Sequence, residues 1–321
     1  MTSAIQKNSL DSEAALRQSD LSAVACVGAS RPRPVILVAI GFRSPSRASL
    51  RWAAEFARRA GHRLRLVSAA SAQLLMDPLR PASQQRWHRD SWLGSLREAL
   101  QDWAWREGGV WVPSHEVRVA DGEPVRVICQ EAEDPDVKMV ILGEIPSQMA
   151  TDKEQLPQAL LRHCPRPMLL LGPRGQVPAV VAATDCSDPA LPVLHEAWGM
   201  ASALRKQTYI VHNVDRLASQ FGERIGMPLT PALADCVAQH HQAWLERMAA
   251  VSDVIITREA DIAQGVLGTA RALEADLLVV GVKPQEKARH RTAERILMQT
   301  QRSVLFVPIA DRPVPGLART C

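Results

Sequence analysis

The sequence predicts an α/β protein of two doubly wound parallel sheets, laid down one after the other. Ala179-Val180-Val181-Ala182-Ala183-Thr184-Asp185 is an apolar run of strand length that stops at a carboxylate, followed by the turn residues Cys186-Ser187-Asp188-Pro189 and a helical pattern from Ala190 to Leu204. A strand apolar on both faces is a buried strand of a parallel sheet, and ligands usually sit at its carboxyl edge. The same stretch occurs earlier, as Val35-Ile36-Leu37-Val38-Ala39-Ile40-Gly41 before Phe42-Arg43-Ser44-Pro45. Setting Gly41 against Asp185 brings Pro45 onto Pro189, Leu50 onto Leu194, Ala53 onto Ala197 and Ala57 onto Ala201. Strand and helix patterns alternate throughout both copies, as a parallel sheet with helical crossovers requires.

In chain order, Arg31-Pro32-Arg33-Pro34 delivers the chain to a strand at 35–40, followed by a helix over 47–60 that ends near Gly61. A second strand runs from Arg63 to Ala69. Pro81 to Glu107 is a long helix in which Leu93, Leu96, Leu100 and Trp103 form one apolar stripe. A third strand is expected at His115 to Val119. Asp121-Gly122-Glu123-Pro124 turns into a helix through Val127, Ile128 and Ala132. Lys138 to Gly143 is a fourth strand, Leu156 to His163 a short helix, and Pro167 to Leu171 a fifth strand. Gly172-Pro173-Arg174-Gly175, dense in helix and strand breakers, reads as a linker. The order then repeats: strands at 179–184, Thr208–Val214, Asp253–Thr257, Asp276–Gly281 and Ser303–Val307, with helices near 190–204, 230–250, 261–274 and 292–300 between them. The expected domains are 34–174 and 178–310, with tails at 1–33 and 311–321.

At 321 residues the chain has room for two domains of about 140–150 residues each. With 46% hydrophobic and 22% charged residues its composition is that of a globular protein, and a net charge of +4 without a basic block argues against nucleic acid as a partner. The cysteines Cys26, Cys129, Cys164, Cys186, Cys236 and Cys321 are scattered, which suggests neither a disulfide framework nor a zinc ribbon and fits a reducing compartment. No apolar run reaches the ~18 residues of a membrane span. The first 33 residues read as a disordered tail, and the protein as cytoplasmic.

Ala183-Thr184-Asp185, Val211-His212-Asn213, Asp276-Leu277-Leu278-Val279-Val280-Gly281 and Thr292-Ala293-Glu294-Arg295-Ile296-Leu297, in this order and spacing, resemble a universal stress protein domain. In the first half Gly122-Glu123-Pro124 and Arg162-His163-Cys164-Pro165-Arg166-Pro167 fit the same pattern. The pair of halves resembles the tandem, E-type members of that family over about 34–310. The resemblance implies two flavodoxin-like (adenine nucleotide α-hydrolase-like) five-stranded sheets ordered 3-2-1-4-5, packed through their last strands as an internal pseudo-dimer.

In that order the switch point lies between strands one and four, so Asp185 and Gly281 should face one crevice. In nucleotide-binding members of the family an aspartate at the position of Asp185 lies near the nucleoside. A loop of the form G-x-x-G, nine residues, then G-S or G-N holds the phosphates, through backbone N–H groups and a helix N-terminus. Here Gly281 is kept, but Pro284 stands where the second glycine belongs and has no N–H to donate; His290 and Arg291 replace the glycine and serine, and the loop is four residues shorter. In the first half Gly41 replaces the aspartate and no glycine lies between Gly143 and Gly172. Asp185, Asn213, Gly281, Lys283 and Arg291 are the candidate nucleotide- or anion-binding residues, and no catalytic or metal-ligating residue is assigned. Lys283, Lys287, Arg289, His290 and Arg291 read first as a solvated basic loop, because side-chain charge alone does not build a phosphate cradle. Asp185 reads equally as a cap for the helix beginning near Pro189 and as a ligand contact. Cys236 and His240, spaced i, i+4 beside His241, lack a second pair to complete a metal site. Trp87, Trp92, Trp103 and Trp105 on the long helix are expected to serve core packing or burial between the halves before any ligand pocket.

The resulting expectation is a non-enzymatic stress-response protein, a tandem sensor or interaction module with reduced or lost nucleotide binding. Its cofactor is none, ATP being the one candidate and a doubtful one. Protein partners are unidentified, no membrane partner is expected, and assembly into a homodimer stays open. Two alternatives remain: a module binding a nucleotide or apolar metabolite in the second half or between the halves, and an enzyme of the nucleotide α-hydrolase-like class.

Overall fold

A computed structural model describes residues 33–41, 46–70, 82–144, 156–172, 179–185, 190–213, 239, 242–249, 252–257, 261–283 and 291–309. Residues 1–32 and 311–321 of the expected tails, residues 173–175 of the expected linker, and Cys236, His240 and His241 lie outside them. The first half runs β1 (Val35–Ala39), α1 (Arg47–Ala60), β2 (Arg63–Ala70), α2 (Ala82–Arg106), β3 (Val117–Asp121), α3 (Pro124–Ala132), β4 (Val137–Glu144), α4 (Leu156–His163) and β5 (Met168–Leu171). The second runs β6 (Ala179–Thr184), α5 (Leu191–Leu204), β7 (Gln207–Asn213), the helical segment α6 (242–249), β8 (Asp253–Thr257), α7 (Ile262–Ala272), β9 (Leu277–Val282), α8 (Arg291–Gln299) and β10 (Ser303–Pro308).

Local chemistry explains where the helices begin and end. Ser46 caps α1 by accepting from the Ser49 amide at 3.1 Å, and Gly61, at φ 69°, closes the helix in the left-handed region with His62 N–H bonded to Ala57 O. Glu123 caps α3, its carboxylate accepting from the amides of Val125 and Arg126, with Pro124 in the first helical turn, where no N–H is missed.

The strands lie in the order β3-β2-β1-β4-β5-β10-β9-β6-β7-β8. Each half is thus ordered 3-2-1-4-5, and every neighbouring pair is parallel except β5 and β10, which meet antiparallel with Leu169 opposite Leu305. The two expected five-stranded sheets are therefore one ten-stranded sheet: the last strand of each half satisfies the other's open edge. Alternate strand residues face opposite layers. Ile36, Val38, Val180 and Ala182 pack under α1, α2, α5 and α6, whereas Val35, Leu37, Ala179 and Val181 pack under α3, α4, α7 and α8. Across the seam α1 lies against α5, Lys138 pairs with Glu196 at 2.6 Å, and Arg162 with Glu294 at 3.2 Å.

Two expectations need correction. The third strand starts at Val117, because Ser114–Glu116 forms a 3-10 turn after Pro113. The Glu116 side chain is drawn inward there, to Arg63 at 2.5 Å and Arg65 at 2.7 Å. The tryptophans of α2 also divide: Trp92 and Trp103 pack against the core, but Trp105 is 56% exposed and meets the exposed Trp111 edge to face, with ring centroids 6.2 Å apart.

Candidate functional site

The carboxyl edge of the second half is where the expected site residues converge. β6 and β9 are neighbours, with Ala183 opposite Val280, so Asp185 and the run Gly281–Lys283 leave the same edge side by side. Asn213 ends β7 one strand further out, opposite Thr257 of β8, and Arg291 is the first residue of α8. Asp185 is exposed, whereas Asn213, Gly281 and Lys283 are half-buried. Pro284, Lys287, Arg289 and His290 lie outside the described residues. Helix α5 takes its N-cap at Ala190, without a side-chain cap hydrogen bond, and residues 186–189 between Asp185 and this helix lie outside the described residues.

Three residues absent from the sequence-based site shape this edge. Ile309 follows β10 and donates its N–H to Val282 O at 2.8 Å, which carries the chain alongside β9. A side-chain carbon built on Gly281 would stand 2.8 Å from Ile309 Cδ1 and 3.0 Å from Val193 Cγ2 of α5. The glycine that would admit a ligand's phosphates is thus closely covered, on its α5-facing side, by the protein's own aliphatic groups. The third is His212, which is buried, with Nδ1 2.9 Å from Thr184 O. A carbonyl only accepts, so Nδ1 carries the proton. The duplication places Ser68 at the equivalent position in the first half, and its hydroxyl donates to Ile40 O at 2.7 Å. Both halves therefore tie a carbonyl at the carboxyl end of strand one to strand two through a side chain. That equivalence was readable from the alignment of the two copies, whereas nothing local marks Ile309 as a cover.

Glu294 occupies the first turn of α8, where its carboxylate already answers the helix's positive end, and it is paired with Arg162. Burial pushes the His212 imidazole below its ordinary titration range, against the hydrogen bond to Thr184 O and the charge of Asp185, which favour the protonated ring. The unfolded chain then binds more protons than the folded one just below pH ~6.5, so stability falls as the pH drops through that point. Burial acts on His62 in the same direction. Denaturant titrations between about pH 7 and 5 are expected to show stability falling in the unaltered protein, and falling less in His212→Asn; parallel slopes would remove His212 from the account.

Comparison with known proteins adds the family. The universal stress protein family model matches residues 33–171 and, a second time, 178–308. The chain belongs to the universal stress protein family. Among solved structures it is similar to a putative universal stress protein from Pseudomonas aeruginosa UCBPP-PA14, at 18% identity and a TM-score of 0.59 over 87% of this chain and 94% of that one. It is also similar to a universal stress protein from Archaeoglobus fulgidus DSM 4304, at 12% identity and a TM-score of 0.58 over 85% and 98% of the two chains. A functionally unknown protein from Pseudomonas aeruginosa PAO1 matches at 18% identity and a TM-score of 0.58. At such identities the likeness is one of fold. No curated protein matches. The chain is a tandem universal stress protein; among its described residues no helix is long and apolar enough to cross a membrane, and no group of three or more His, Cys, Asp and Glu is placed to hold a metal ion.

Proposed function

We propose that this tandem universal stress protein is a non-enzymatic sensor and interaction module of the cytoplasm, with degenerate ATP-binding loops and unidentified protein partners. The observation that carries the reading is the cover over Gly281, where Ile309 and Val193 fill the space on one side of the glycine. The sequence supports it from the same loop, since Pro284 supplies no N–H where a phosphate would need one. In the first half Gly41 stands in place of the carboxylate and Ser68 in place of the histidine.

The competing reading, a module that holds a nucleotide or an apolar metabolite, drew on the tryptophans of α2. Packing of Trp92 and Trp103 against the core gives those two rings a structural task instead. Isothermal titration of the full chain with ATP and Mg²⁺ is expected to give no saturable heat below roughly 1 mM, an affinity of only about 4 kcal/mol. Sub-micromolar binding would overturn the loss of the site and restore Asp185, Asn213, Gly281, Lys283 and Arg291 as ligand contacts.

A further inference from the structure

Helix α7 and the end strand β8 leave a groove between them, with β7 separating it from the nucleotide crevice at β6 and β9. Its volume of about 340 Å³ is that of a small-molecule site. Ile255 and Thr257 of β8 line it, with Gly265, Gly268, Ala272 and Leu273 of α7 and its C-cap. The duplication shows what opens it. Helices α3 and α7 are both capped by a carboxylate, Glu123 and Asp261, and setting one cap on the other brings Gly265 onto Val127 and Gly268 onto Gln130. Ser68 stands opposite Val119 and its counterpart His212 opposite Ile256, so Ile255 matches Arg118 and Thr257 matches Ala120. Where the first half has a buried valine, a glutamine and an exposed arginine, the second has two glycines and an isoleucine.

Glycine inside a helix costs stability. At Gly268 the protein's own packing does not require it, because a side-chain carbon built there would meet no heavy atom within 4 Å. Three polar side chains line the groove, and two are engaged: Gln264 Nε2 donates to Gln299 Oε1 at 2.9 Å, and the Thr269 hydroxyl donates to Gly265 O at 2.9 Å. The Thr257 hydroxyl oxygen is buried and has no hydrogen-bond partner among the described residues. Buried polar atoms are nearly always paired, so this hydroxyl is the polar anchor that the groove offers. Among the described residues no charged side chain lines it.

We infer that the groove between β8 and α7 is a binding site for a small, uncharged, largely apolar molecule with one hydrogen-bonding group, which the Thr257 hydroxyl receives. Eight residues line the groove, well short of the roughly 20–30 a side that a stable protein partner covers, so a small molecule fits it better than a second chain. An ionic ligand would find no counter-charge on its walls. The site involves neither the nucleotide crevice nor the tryptophans of α2, and it stands whether or not ATP binds.

Titration of the full chain with N-phenyl-1-naphthylamine, a neutral fluorophore with a single N–H donor, tests it. The dye's emission is expected to rise and to saturate at one molecule per chain. Gly268→Leu, which fills the open space with a better helix former, should weaken binding about tenfold or more. Thr257→Val keeps the shape and removes the hydroxyl, and should weaken it by about threefold to tenfold. Hydrogen exchange of the unaltered protein should slow on adding the dye in peptides covering 253–257 and 262–273, a readout that does not depend on either variant folding. Absence of saturation, unchanged affinity in either variant, or protection confined to other peptides overturns the inference. Slower exchange in the same peptides on raising the protein concentration, without dye, would give the groove to a second copy of the chain and overturn it as well.

Discussion

Replacing Glu116 by alanine is expected to cost about 3–5 kcal/mol of stability, the usual penalty for removing one partner of a buried ion pair. Glu116 is 3% exposed and lies between Arg63 and Arg65 of β2. Arg65, itself buried, also reaches Asp134 at 2.7 Å, and Arg63 reaches Asp136 at 3.0 Å. Desolvation works against the Arg65 charge, and the bonds to Glu116 and Asp134 more than offset it. Glu116→Ala leaves the buried Arg65 guanidinium with Asp134 at 2.7 Å and Glu131 at 3.7 Å. The double variant Arg65→Met, Glu116→Leu removes charge and partner together and should recover most of the loss, because apolar groups of similar size avoid the desolvation cost. Chemical denaturation of the two variants checks both statements; a Glu116→Ala loss below about 1 kcal/mol would mean that the cluster is no better than a surface pair. The cluster also sets an acid limit. The hydrogen bond from Arg65, then the Asp136 amide, holds the Asp134 carboxyl below its usual range. Its contribution is therefore complete above pH ~4 and is lost as the pH falls further.

Gly172→Ala is expected to cost about 2–4 kcal/mol through overpacking that the surroundings cannot relieve. The added methyl would stand 2.7 Å from Gln301 O, 2.8 Å from Arg302 C and 2.8 Å from Ser303 N, all of them main-chain atoms. The Gly172 amide meanwhile donates to the buried Ser303 hydroxyl at 3.0 Å, at the point where β10 begins. Relief would require β5 and β10 to separate, and that is the seam joining the halves. Gly281→Ala provides the contrast: its methyl meets side chains only, those of Ile309 and Val193, so the cost should be smaller, about 1–2 kcal/mol, most of it in shifting that cover. Equal thermal midpoints for the two variants would show that the seam tolerates displacement.

The duplication was legible because its signals are local or periodic. Apolar strands of similar length, turn residues after them and helices between them recur at one offset from Gly41 to Asp185, whereas the strand order of each half was implied by the resemblance to the universal stress protein family. Even the helix ends followed from residue chemistry at Ser46, Gly61 and Glu123. The misplaced start of the third strand has a different origin: His115 and Glu116 look extended in sequence, but a carboxylate with two arginines to meet on another strand bends the backbone first.

Sequence alone therefore determined the repeating α/β unit, the edge at which a ligand would sit, and the loss of glycines that would have held its phosphates. Tertiary structure alone decided that Gly172, read as part of a linker, is a packing contact and that Ile309 closes over Gly281. Each of these joins residues distant in the chain through close packing, and no periodicity or local propensity encodes which distant side chain fills a given gap.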